Sequence, residues 1–237
     1  IRNPATPAIQ IAASSLLSSI SNLKEIHPRL AKIKVWIESS LVQFPVLLTK
    51  APEGPSLLEF FAPSGAKNLM CQAYKDDDWM SKVNNFSSMI VYGILTDPFD
   101  TKLEHFTVEK IQDKYYIRCT ENGLAFSNIY IERSDSKTQK AKRHLDVKYP
   151  LFFFKQMDSP IDPDFKTHFL SLSPDRIVLQ WLKTLINDQI DYIRLFQDGV
   201  IDTKEMVQMR LSLGLIVGKS SEEGLIDCLY SKIQSMQ

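Results

Sequence analysis

Three cysteines and four histidines are the residues of this chain best suited to chemistry. A cysteine nucleophile needs a histidine base within hydrogen-bond reach and a third group to orient that base. Cys119 and His105 fall where neighbouring strands are expected, so they are one candidate pair; Cys71 and His144 supply the alternatives. Against this, Tyr115, Ile117 and Cys119 alternate on one strand face, and a cysteine buried on such a face is ordinary packing.

Metal chemistry has less support. No two of His27, His105, His144 and His168 stand three or four apart, and no Cys-x-x-Cys occurs, so no metal site is expected. Asp158, Asp162 and Asp164 could offer oxygens, but Pro160 and Pro163 interrupt them and no glycine or closing glutamate follows at calcium-loop spacing. Asp76-Asp77-Asp78, just before Trp79, reads as a solvated turn or helix start.

Phosphate binding fails on spacing. Gly214 to Ser220 (GLIVGKS) resembles a phosphate loop, but three residues separate its glycines where four are required, and Leu213 stands where the first glycine belongs. It is expected to be an interhelical turn with Ser220 as the N-cap. The chain has only eight glycines, little material for backbone cradles around phosphates, and no cofactor is expected. The one dense basic stretch is Lys137, Lys140, Lys142 and Arg143, with His144 and Lys148 beyond. It is the candidate anion site, for RNA phosphates or anionic lipid. No aromatic residue inside it can stack on bases.

These residues must be positioned by elements whose patterns can be read directly. Thr6 and Pro7 open a helix with Ile9, Ala12, Ala13, Leu16, Ile20 and Leu23 on one face. His27-Pro28 breaks it. A second helix is expected with Leu30, Ile33, Ile37, Leu41 and Phe44 on a stripe, ended by Pro45. Short apolar runs at 46–49, 57–61, 69–74 and 89–95 are strand candidates. The clearest β signal covers 104–132. There Phe106 and Val108 lead to a turn near Gln112-Asp113, an alternating strand comes next, and Asn122-Gly123 suits a tight hairpin turn before Leu124 to Glu132 returns. Leu151 to Phe154 reads as a buried strand. Asp158 to Asp164 reads as a linker and is the best candidate boundary.

The last third reads as three helices. Ser173-Pro174-Asp175 supplies a cap, a first-position proline and an acid suited to the helix dipole. Val178, Leu182, Leu185, Ile186, Ile193 and Phe196 form its stripe, and Gly199 fits a C-terminal cap. Asp202 with Glu205, and Ser220 with Glu223, begin the other two. Expected overall is an α+β fold: two N-terminal helices, a central, mostly antiparallel sheet with a meander at about 104–132, and three C-terminal helices. Residues 1–157 would hold the helical pair and sheet, and 158–237 a helical segment packed on the same core.

Composition sets the class. The 237 residues are 44% hydrophobic and 24% charged, ordinary globular values. Twenty-eight basic residues balance 28 acidic ones, which argues against a chain built mainly to hold nucleic acid. Scattered cysteines and the lack of a signal-like or membrane-length apolar run point to a soluble protein of the cytoplasm or nucleus. The chain opens at Ile1 rather than Met, so a fragment or processed form is expected, and a targeting signal could have been lost. The sequon Asn85-Phe86-Ser87 is weak support for secretion. The leading expectation is a non-catalytic protein–protein interaction module, an adaptor or subunit of an intracellular assembly. Met206, Met209, Tyr230 and Met236 on C-terminal helices would form its partner surface. The alternatives are a cysteine-dependent hydrolase or transferase, and a binder of apolar small molecules between sheet and helices.

Overall fold

The structure is a computed structural model, and it describes residues 7–21, 28–51, 53–61, 82–98, 101–122, 125–126, 130–134, 141–145, 149–196 and 225–237. The fold is α+β. The chain divides into two compact units, one of residues 1–51 with 166–237 and the other of residues 52–165.

In the first unit, α1 (Pro7–Ile20) packs against α5 (Pro174–Phe196), as does α6 (Leu225–Met236). The expected N-terminal helix is present, and of its stripe Ile9, Ala12, Ala13, Leu16 and Ile20 are buried, while Leu23 lies outside the described residues. α5 buries Ile177, Val178, Trp181 and Leu185, a face shifted from the expected stripe, whose Ile186 is exposed. Trp181 is wholly buried, and its indole Nε1–H donates to the Ala12 carbonyl at 2.8 Å. Ser173 caps α5 as its sequence suggests: its Oγ accepts from the Arg176 N–H at 3.1 Å. Leu229 and Ile233 are the buried positions of α6, and the Gln237 side chain donates to the Phe169 carbonyl at 2.9 Å.

The expected second helix is instead a β-hairpin. β1 (Arg29–Ile37) and β2 (Ser40–Leu48) pair antiparallel along all nine residues, from Arg29 opposite Leu48 to Ile37 opposite Ser40. Lys32-Ile33-Lys34-Val35 alternates with period two, and Ile33, Val35, Trp36 and Ile37 are β-branched or aromatic, which favours a pleated strand. Glu38 and Ser39 both take positive φ, 46° and 71°, the pattern of a type I′ turn whose twist matches the strands.

In the second unit, β3 (Phe106–Ile111) and β4 (Lys114–Cys119) form the expected hairpin, turning at Gln112-Asp113 with Gln112 at φ 56°. Among the described residues, β4 does not gain the third strand that would make the expected meander. Its open edge is already occupied: Asn84 N–H donates to Tyr115 O at 2.9 Å, Tyr115 N–H to Lys82 O at 3.0 Å, and the Asn85 side chain takes both backbone groups of Ile117. Phe126, buried with φ 55°, gives its N–H to the Thr96 carbonyl, which carries the chain away from β4. β5 (Tyr130–Ser134) pairs instead with β6 (Ala141–Leu145), Tyr130 opposite Leu145. Among the described residues each sheet has two strands.

Two strand candidates are helices. Residues 57–61 form α2 (Leu57–Phe61), started by a capping box in which Glu59 N–H donates to Ser56 Oγ at 3.2 Å and Ser56 N–H donates to Glu59 Oε2 at 2.9 Å. Residues 89–95 lie inside α3 (Phe86–Thr96). Leu151 to Phe154 is not a strand either: 3₁₀ turns cover Pro150–Phe153 and Lys155–Asp158. Asp162 is the N-cap of α4 (Pro163–Ser171), accepting the Phe165 N–H at 2.8 Å, which gives that carboxylate a structural job. The candidate strand at 69–74, Asp76 to Trp79, Gly199, the helix expected from Asp202 and the Gly214–Ser220 string lie outside the described residues.

Tyr149 is the centre of the second core. Its ring stands edge-on to Phe106, 5.5 Å between centroids, and its hydroxyl donates to the Met89 carbonyl at 3.0 Å. Gly93 of α3 makes room for it: a Cβ there would lie 2.5 Å from the Tyr149 ring.

Candidate functional site

Cys119 and His105 do come together. Cys119 ends β4 opposite Phe106, and His105 is the residue before Phe106, in a 3₁₀ turn (Leu103–His105). Thr120 ties the two segments: its N–H donates to the His105 carbonyl at 2.7 Å and its hydroxyl to the same oxygen at 2.9 Å. The side chains are aimed elsewhere. His105 Nδ1 accepts the Lys102 N–H at 3.2 Å, so the neutral ring carries its proton on Nε2. Nε2 faces the Glu121 carboxylate at 3.7 Å. The Cys119 thiol donates to Asn122 Oδ1 at 2.9 Å, with the Glu121 carbonyl at 3.5 Å. The thiol proton is directed at these two oxygens and not at the imidazole. Tyr149 lies within electrostatic reach of Cys119. Burial, and secondarily the sulfur's charge, pushes the Tyr149 phenol well above its ordinary range, so it stays a neutral donor.

Few of the other residues singled out from sequence fall among the described ones. Cys71 lies outside the described residues, as do Lys137, Lys140 and Lys148. His144, Lys142 and Arg143 belong to β6, where their backbones pair opposite Ile131, Arg133 and Glu132. Met206 and Met209 lie outside the described residues; Tyr230 and Met236 are half-buried on α6. Among the described residues no group of three or more potential metal ligands converges. No helix among them is long and apolar enough to cross a membrane.

The sequon asparagine has a structural role. Asn85 is 4% exposed; its Nδ2–H donates to the Ile117 carbonyl at 2.7 Å and its Oδ1 accepts the Ile117 N–H at 2.9 Å. A glycan would occupy the nitrogen that makes the first of these bonds.

Sequence reasoning misses the most exposed large apolar side chain among the described residues, because it places a helix there. The end of the β1–β2 hairpin carries Trp36, 71% exposed, beside Val35, Ile37 and Leu41, all exposed. Trp36 and Leu41 are cross-strand partners on one face, while Val35 and Ile37 project from the other. The base of the hairpin differs: Leu30, Val46 and Leu47 are buried, and β1 packs against α5. The hairpin is anchored at its root and presents apolar side chains at its tip. The alternation from Lys32 to Val35 is the signal that could have found it.

No family model matches this chain, and no curated protein matches it in sequence.

Proposed function

We propose that this chain is a non-catalytic protein-interaction module, an adaptor or subunit of an intracellular assembly, that meets its partner through the tip of the β1–β2 hairpin. The observation that carries this reading is the exposed cluster of Trp36, Val35, Ile37 and Leu41 on a rooted hairpin. Tryptophan is enriched among the residues that dominate binding energy, and clustered apolar anchors are what a partner buries first. Burying the exposed part of Trp36 alone removes on the order of 150 Å² from water, about 3–4 kcal/mol before the costs of association. A thiol hydrogen-bonded to Asn122 and a doubly engaged imidazole support a non-catalytic reading over a cysteine enzyme. Its expected setting is the cytoplasm or nucleus, on the composition alone.

The test compares affinity purification of the native chain with a Trp36→Ser/Leu41→Ser variant. Both changes lie at exposed positions, so the unfolding midpoint should be unchanged. A partner recovered at constant stoichiometry with the native chain should be lost with the variant. Retention of every partner by the variant refutes the tip as the binding surface.

A further inference from the structure

The turn at Glu38-Ser39 fixes which backbone groups of each strand face the other. Ile37 and Ser40 flank a two-residue turn and exchange both backbone hydrogen bonds; the pattern alternates from there. Ala31, Ile33 and Val35 therefore turn their N–H and C=O groups toward β2. Leu30, Lys32, Lys34 and Trp36 turn theirs outward. On β2 the outward positions are Leu41, Gln43, Pro45 and Leu47. Pro45, opposite Lys32, has no N–H, and its parity places that gap on the outer edge, where no ladder bond is lost. The edge of β2 is thus interrupted in its middle, while β1 contains no proline.

The other well-packed hairpin shows how this chain treats such edges. In β3–β4 the outward N–H groups of Val108 and Tyr115 donate to Pro55 O and Lys82 O, and that of Ile117 donates to Asn85 Oδ1. At Lys34 and Trp36 of β1 no such cover exists among the described residues. Both residues are exposed, and their side chains project from the same face. Charge is equally one-sided: the charged residues of the two strands are Arg29, Lys32 and Lys34, all cations and all in β1.

We infer that the outer edge of β1 accepts an added strand from an acidic, extended segment of a partner protein, with a carboxylate opposite Lys34 and an apolar side chain opposite Trp36. This rests on the proposed role of the hairpin tip. Strand addition takes affinity from main-chain hydrogen bonds and specificity from alternate side chains, which are Lys34 and Trp36 here. A second copy of β1 would set lysines against lysines, so the same charges oppose self-pairing and select an acidic strand. An anionic membrane would meet the Glu38 carboxylate at the apex of the tip, which favours a protein partner.

The experiment titrates the full chain with three synthetic peptides: a repeating Glu-Thr-Val-Thr peptide (Glu/Val), which sets Glu and Val two apart on one face as Lys34 and Trp36 are, its Lys-Thr-Val-Thr counterpart (Lys/Val), and the Glu/Val peptide with a central proline. Amide hydrogen exchange is followed residue by residue. The Glu/Val peptide should bind about tenfold tighter than the Lys/Val one, the order expected when attractive cross-strand pairs replace repulsive ones. It should slow exchange at Lys34 and Trp36 and leave Leu41 and Gln43 unchanged, and the proline peptide should lose that protection. Lys34→Glu, an exposed change, should reverse the preference. Equal binding of the Glu and Lys peptides, protection on the β2 edge, or a preference unaltered by Lys34→Glu overturns the inference. So does Lys34-dependent binding to phosphatidylserine vesicles without edge protection by the peptide. If edge protection is absent while Trp36→Ser/Leu41→Ser still abolishes partner recovery, strand addition falls and the tip reading stands. If the tip variant keeps every partner, the tip reading falls by itself.

Discussion

Replacing Asn85 should cost the second unit more than any other single polar change in it. The Asn85 amide imitates a neighbouring strand: its oxygen accepts the Ile117 N–H at 2.9 Å and its nitrogen donates to the Ile117 carbonyl at 2.7 Å. Ile117 is wholly buried, so water cannot substitute. Asn85→Ala strands two backbone groups at ~1–3 kcal/mol each, a loss of about 3 kcal/mol or more. Exchange of the Ile117 amide should then speed up by about a hundredfold if it opens with the unit. Urea unfolding, with mass-resolved exchange to separate the two units, measures this directly. Asn85→Asp sharpens the test. Its ionised carboxylate would face the Ile117 carbonyl, whereas the protonated acid can donate to it. The folded state therefore raises the pKa of the introduced carboxyl above its unfolded value near ~4. The stabilising bond is then fully present below the unfolded value and is lost as pH rises through the folded one. A change of less than ~0.5 kcal/mol for Asn85→Ala, or an Asn85→Asp variant equally stable at acid and neutral pH, refutes the strand-mimic account.

Other expectations concern single interactions. Trp181→Phe removes the buried donor to Ala12 and should lower the stability of the first unit by about 1–3 kcal/mol, read by urea denaturation. Glu59 is held below its ordinary carboxylate range, first by the Ser56 backbone N–H and then by the Ser56 hydroxyl. Its contribution to α2 is therefore present above that range and lost as pH falls through the lowered value, and Glu59→Gln should flatten the pH dependence of exchange at the start of α2. Burial pushes the Lys232 amine down to about 8. Between that value and the unfolded range near ~10.4 the unfolded chain binds the extra proton, so stability of the first unit should rise with pH there, and Lys232→Met should remove the slope.

Legibility in the sequence tracks the length scale of the signal. Helix starts with local capping chemistry, such as Ser173-Pro174, can be read because cap and helix are contiguous. The Gln112-Asp113 turn is legible from the alternation on its C-terminal side. Residues 29–48 mislead because Leu30, Ile33, Ile37 and Leu41 fit a helical stripe as well as a hairpin, and because Glu38-Ser39 lacks the asparagine or glycine that usually marks positive φ. Among the described residues no return strand after Asn122-Gly123 pairs with β4, for a non-local reason: Lys82 to Asn85, some 30 residues upstream of β4, occupies the edge it needed. For the candidate site, the nearness of His105 and Cys119 is visible in strand order, but not the direction of their side chains. The exposed tip is hidden wherever a helix is read in place of the hairpin.

Gly93 and Tyr149 behave as one position divided between two distant parts of the sequence. The ring fills the space that a Cβ on Gly93 would need. Gly93 therefore cannot gain a side chain without strain, and Tyr149 cannot shrink without leaving a cavity. Gly93→Ala should be poorly tolerated by itself and better tolerated beside a smaller residue at 149, which in turn forfeits the hydroxyl bond to Met89. In any family of sequences sharing this fold, bulk at the first position should be found with its loss at the second, a covariation that would identify a relative too distant for sequence similarity to reveal.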